Sequence, residues 1–168
     1  YGDHRDLHSF PTRRSFRSGN DSYGISLAGG STNNLIAGNL IGTSANGQAV
    51  LGNTGAGVAI DSSPNNIIGG TSALARNIIS NNEIGVYIFN AASTGNQILG
   101  NYIGTDITGT VDFGNRFNGI LFDAAPNNII GGSTAGSQNI ISGNNSNGIQ
   151  LSNASGSLVA GNHIGTDG

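Results

Sequence analysis

The strongest constraint on this chain is that it repeats itself, and internal repeats decide a fold before any single residue does. From Tyr23 onward an apolar element opened by glycine recurs as Gly24-Ile25-Ser26-Leu27, Gly57-Val58-Ala59-Ile60, Gly85-Val86-Tyr87-Ile88, Gly119-Ile120-Leu121-Phe122 and Gly148-Ile149-Gln150-Leu151. A second element follows each one: Asn34-Leu35-Ile36, Asn66-Ile67-Ile68, Asn96-Gln97-Ile98, Asn128-Ile129-Ile130 and Ser157-Leu158-Val159. A third begins with Asn again: Asn39-Leu40-Ile41, Asn77-Ile78-Ile79, Asn101-Tyr102-Ile103, Asn139-Ile140-Ile141 and Asn162-His163-Ile164. The chain reads as five coils of three short strands each.

The opening glycines are spaced 33, 28, 34 and 29 residues apart, and the alternation has a cause. Odd coils carry a long turn after their third strand, Gly42 to Asn53 and Gly104 to Asn115. Even coils carry theirs between strands two and three, Gly69 to Arg76 and Gly131 to Gln138. The repeating unit is a pair of coils, about 62 residues, present twice and then begun again.

Strands this short cannot bury a core alone, but coils stacked at ~4.8 Å join their apolar side chains into internal columns. One column is Ile36, Ile68, Ile98, Ile130 and Val159; another is Ile41, Ile79, Ile103, Ile141 and Ile164. Asn39, Asn77, Asn101, Asn139 and Asn162 form the clearest ladder of stacked side-chain amides at a bend. The predicted fold is all-β, a right-handed parallel β-helix of about five coils. Composition agrees: 29 Gly and 24 Asn disfavour helix, and 20 Ile favour strand. An antiparallel sandwich is the competing fold, but two-residue hairpin signals and clean alternation are mostly missing.

Residues 1–16, YGDHRDLHSFPTRRSF, stand apart, with three of the six Arg, two of the three His, and neither Asn nor Ile. This stretch resembles the one-frame translation of a sequencing-adapter oligonucleotide, which implies a non-native tail and a missing true N-terminus; the alternative is a basic N-terminal tail of unknown role. His4, His8, Arg5, Arg13 and Arg14 are accordingly kept out of any site. Residues 17–168 are then a single solenoid fragment, truncated at both ends.

The run from Asn96 to Thr110, NQILGNYIGTDITGT, resembles the repeats of bacterial extracellular right-handed parallel β-helix proteins of the pectate-lyase-like superfamily. The resemblance covers about Tyr23 to Gly168 and implies the architecture and an extracellular or cell-surface location. It leaves activity open, because such repeats serve both polysaccharide-degrading enzymes and noncatalytic surface proteins. Coil one departs from the pattern, with Ser44 where Asp106 and Asp167 stand.

Chemistry is sparse. Lyases of that superfamily imply acidic clusters holding calcium beside a basic residue, and its hydrolases imply several neighbouring Asp. Here Asp61 and Asp123 occupy matching places two coils apart, about 10 Å by backbone, with Phe89 and Ser152 at the matching positions between and beyond. They read either as an inverting carboxylate pair or as Asx turns before Pro64 and Pro126; recurrence with the loop favours the turn. Gly104-Thr105-Asp106-Ile107-Thr108-Gly109 lacks the alternating oxygen ligands of a calcium loop and reads as a turn in which Asp106 accepts backbone amides. His163 stands where Leu40 and Tyr102 stand in other coils, so it is read as a surface residue. Arg76 and Arg116 lie in different turns.

No cofactor, metal or catalytic residue is therefore assigned. Only 9% of residues are charged and Lys is missing, which argues against nucleic acid; no apolar run approaches a membrane span. The expectation is a noncatalytic, adhesin-like segment of a secreted or surface protein. The alternative is a piece of a lyase or glycoside hydrolase whose catalytic coils lie outside the chain. With Ile25 and Leu27 inward, Ser26, Ala59, Tyr87, Leu121 and Gln150 form an outward stripe, and Tyr87 with Leu121 is the candidate glycan contact. The bland alternative is that these two are covered by a long turn or pack on each other.

Overall fold

The computed structural model describes residues 19–166; the tail 1–16 and Asp167 lie outside the described residues. Coil one holds β1 (Ile25–Leu27), β2 (Leu35–Ile36) and β3 (Leu40–Ile41); coil two holds β4 (Val58–Asp61), β5 (Ile67–Gly69) and β6 (Ile78–Ile79). Coil three is β7 (Val86–Phe89), β8 (Gln97–Leu99) and β9 (Tyr102–Ile103). Coil four is β10 (Ile120–Asp123), β11 (Ile129–Gly131) and β12 (Ile140–Ile141), and coil five is β13 (Ile149–Ser152), β14 (Leu158–Ala160) and β15 (His163–Ile164). Each strand pairs in parallel with its counterpart one coil along, giving three five-stranded sheets, first strands with first, second with second and third with third. This is a β-solenoid, as the repeat demands.

Register confirms both columns. Ile36, Ile68, Ile98, Ile130 and Val159 pair in succession, as do Ile41, Ile79, Ile103, Ile141 and Ile164. Ile68, Ile79, Ile98, Ile103, Ile130 and Ile141 are fully buried, and Phe122 from the first sheet joins them. Coil five differs: Val159 and Ile164 are 40% and 48% exposed, because no described strand stacks beyond them to cover the same inward side chains.

Three amide ladders, one per corner, hold the bends. In the ladder between the second and third sheets, the backbone N–H and Nδ2 of Asn39 both donate to Asn77 Oδ1, at 2.9 and 3.0 Å. Asn77 does the same to Asn101, Asn101 to Asn139, and Asn139 to Asn162. A second ladder runs Asn34, Asn66, Asn96, Asn128 and ends on Ser157. A third runs Asn20, Asn53, Asn82, Asn115 and Asn144. Asn supplies a short side chain with a carbonyl acceptor and two separate amide donors, enough to receive one neighbour and reach the next at such a corner. Asn96 Nδ2 is the exception, buried without a partner.

The doubled Asn pairs have a division of labour. Asn33, Asn65 and Asn127 take the left-handed conformation (φ 58, 61 and 57°), and the next Asn enters the ladder. In coils three and five Gly95 and Gly156 make the same turn; Asn and Gly are the residues that visit this region at least cost. Gly119 is required for a different reason. A Cβ there would lie 2.7 Å from Gly148 O and 2.9 Å from Ile141 Cγ2, so the corner closes only over hydrogen.

Candidate functional site

The long turns of the odd coils fold on themselves rather than around a cation. Asp106 Oδ1 accepts the Thr108, Thr110 and Val111 amides and the Thr108 hydroxyl at 2.7–3.3 Å. Burial acts to raise this carboxyl, but those bonds to the charged form outweigh it and hold Asp106 below the usual carboxylate range. Coil one does the same task with two side chains. Ser44 Oγ accepts the Ala49 amide and donates to Asn46, whose Oδ1 accepts the Gln48 amide. Among the described residues no group of three or more His, Cys, Asp or Glu could hold a metal ion. No described helix is long and apolar enough to cross a membrane.

The outer face of the first sheet carries the most concentrated chemistry. Its parallel register aligns Ser26, Ala59, Tyr87, Leu121 and Gln150 in one row. Ser26 and Gln150 are exposed and Tyr87 and Leu121 half-buried, but Ala59, expected on the outward stripe, is buried. The next outward row aligns Asp61, Phe89, Asp123 and Ser152. Tyr87 and Leu121 are half-buried neighbours in register. The ring that Tyr87 stacks on is Phe89, with centroids 4.5 Å apart and planes at 22°. The sequence reading named Leu121 and passed over Phe89, although the alternation in Val86-Tyr87-Ile88-Phe89 places both rings on one face.

The two carboxylates flank that ring pair in register. Asp61 Oδ1 accepts from Asn90 Nδ2 at 2.6 Å and from Ser62 Oγ at 2.8 Å. These partners are side chains, so the carboxylate is not the Asx-turn acceptor that its place before Pro64 suggested. The following residue makes the turn instead, with Ser62 at φ 48° and its counterpart Ala124 at φ 52°. Asp123 is exposed, and the Tyr87 hydroxyl reaches its Oδ2 at 3.5 Å. The Tyr87 phenol is raised above its ordinary value by burial first, then by Asp123, with smaller effects of Tyr23 and Asp61. The phenol thus stays a hydrogen-bond donor beside two carboxylates.

Elsewhere the arrangement is structural. Arg76 lies 4.0 Å over the Tyr102 ring and donates to Gly100 O, tying an even-coil turn to coil three. Arg116 lies 5.7 Å from the Phe117 ring centroid. His163 is exposed at the edge of the third sheet. A groove of about 650 Å³ runs along the corner between the third and first sheets, lined by Asp21, Glu83 and Arg116 together with glycines, asparagines and the Val50–Leu51 pair. It holds no aromatic ring, and sequence reasoning did not find it because its walls come from four separate coils. Comparison of the chain with protein-family models, curated proteins and solved structures returned no match.

Proposed function

We propose that this chain is a noncatalytic, adhesin-like stretch of a secreted or surface-attached bacterial β-solenoid protein whose first sheet contacts glycan along its outer face. Kinship with the pectate-lyase-like superfamily belongs to the same proposal and rests on the Asn96–Thr110 repeat. The observation that carries the glycan reading is the Tyr87–Phe89 stack. Two rings stand side by side on a strand paired on both flanks, so they are held in place before any ligand arrives. A sugar ring presents an apolar C–H face that packs on such a surface, while hydroxyls find Asp61, Asp123 and the Tyr87 phenol. Preorganisation matters here because weak contacts retain affinity only when little freedom is lost on binding.

A second reading draws on one observation, the placement of Asp61 and Asp123 on the same face two coils apart. Their backbones lie about 10 Å apart, near the roughly 6.5–9.5 Å carboxyl separation of inverting glycosidases. The strand position between them, however, is held by Phe89, which disfavours a water attacking from there. One experiment separates the readings: the intact chain is titrated with soluble oligosaccharides by calorimetry while reducing ends are assayed in parallel. Binding that falls at least about tenfold in Phe89→Ala, with no new reducing ends, is the expected result. No binding to any glycan overturns the glycan contact, and release of reducing ends overturns the noncatalytic assignment.

A further inference from the structure

Resting on that glycan reading, we propose that the ligand is a polysaccharide with free amino groups, of the β-1,4-linked glucosamine type, lying along the solenoid axis across the Tyr87–Phe89 stack.

Charge selects the class. The row Asp61, Phe89, Asp123 sets two carboxylates either side of an aromatic ring on one outer face. Asp61 spends Oδ1 on Asn90 and Ser62, which leaves Oδ2 unengaged. Asp123 is exposed, and among the described residues its carboxylate's only hydrogen bond is the long one from the Tyr87 hydroxyl. The two described arginines are engaged away from this face, Arg76 over Tyr102 of the third sheet and Arg116 over Phe117 ahead of β10. Among the described residues, then, no cation neutralises the pair. A glycan carrying carboxylates would bring like charge to both ends of the ring stack, whereas an ammonium finds an acceptor oxygen at each.

Spacing agrees with charge. Asp61 and Asp123 sit two coils apart, about 10 Å along the axis. In an extended β-1,4-linked chain each sugar is flipped relative to the last, so amino groups return to the same side once per disaccharide. That distance is close to two coils. One sugar face then covers the rings while the amines flanking it reach Asp61 and Asp123.

The test uses the intact chain, a glucosamine hexamer, its fully N-acetylated counterpart and a galacturonate oligomer, at low and at high salt. The expected result is binding of the glucosamine hexamer, weakened on N-acetylation by roughly two- to fivefold per lost ion pair. High salt narrows that gap, and the galacturonate oligomer does not bind. The nearly isosteric double variant Asp61→Asn/Asp123→Asn removes the preference for free amines, bringing the two hexamers to equal affinity; Phe89→Ala weakens both. Equal affinity for the two hexamers overturns the amine assignment while leaving the glycan reading standing. A preference that survives the double variant also overturns it, since bulk acidity of the chain would then be responsible. Failure of both amino-sugar hexamers to bind overturns the amine assignment, and the glycan reading falls with it only if the wider oligosaccharide titration also shows no binding.

Discussion

Replacing Asn101 by Ala interrupts a buried amide ladder at its middle rung, and the cost can be worked from its bonds. The side chain accepts the Asn77 N–H and Nδ2 at 3.2 and 2.9 Å and donates to Ile68 O, Leu99 O and Asn139 Oδ1 at 2.9–3.1 Å. The Asn77 N–H loses its only partner, and a buried orphan of this kind costs ~1–3 kcal/mol. Of the other four, Asn77 Nδ2 keeps Ile36 O, Leu99 O keeps the Gly70 amide and Asn139 Oδ1 keeps the Asn101 amide, while the fourth, Ile68 O, loses the Asn101 side-chain donor. Those losses belong at the lower end of the range, ~0.5 kcal/mol each. The total is about 3–5 kcal/mol. Asn39 supplies the contrast. It is half-buried in coil one, and its side chain only donates, to Asn77 and to its own turn. Asn39→Ala should cost under about 1 kcal/mol, since no buried donor loses its sole acceptor. Urea unfolding followed by far-UV circular dichroism measures both, provided each variant unfolds in one transition; a stacked array can lose cooperativity when a middle coil is weakened. Equal destabilisation by the two variants would refute the reasoning, because the ladder would then contribute no more at its centre than at its end.

Two further predictions concern stability. Ile103→Ala, at a fully buried position of the third-sheet column, should cost roughly 2–5 kcal/mol, whereas His163→Ala, exposed at the sheet edge, should cost under about 0.5 kcal/mol; similar denaturation midpoints for the two variants would contradict the inward and outward assignment. Asp106 should make stability acid-dependent. Its folded carboxyl titrates below the unfolded value of about 3.9, so its contribution is present above that pH and is lost as pH falls through the folded value. Asp106→Asn, compared with the parent in urea titrations from about pH 6 to pH 2, should lose part of that acid slope; parallel curves would show that the turn does not sense the charge.

Much of this architecture was legible along the chain because a solenoid turns long-range contacts into sequence period. Each residue meets its own counterpart one coil along, so the columns of Ile36 and Ile41 and the ladder of Asn39 could be written down by aligning the repeat. The alternating turn lengths were legible for the same reason. So was the role of Asp106, since an Asp followed by Thr-rich turn residues can satisfy local amides. The corner ladder of Asn53, Asn82 and Asn115 was missed because long insertions in odd coils hide its period.

What the sequence determined by itself was the period, the inward Ile columns and the need for Asn at the bends, all of which are local or nearest-neighbour properties. What only the tertiary structure decided was which side chains meet across the surface between unlike residues. Phe89, Asp61 and Asp123 are unrelated types at one repeat position, so no repetition announces that they share a row. The engagement of Asp61 by Asn90, and the stacking of Tyr87 on Phe89 rather than on Leu121, depend on side-chain rotamers. Repetition encodes the backbone of this molecule, because stacked coils must be alike to pair; its surface is free of that requirement, and its chemistry is set there by the departures from the repeat.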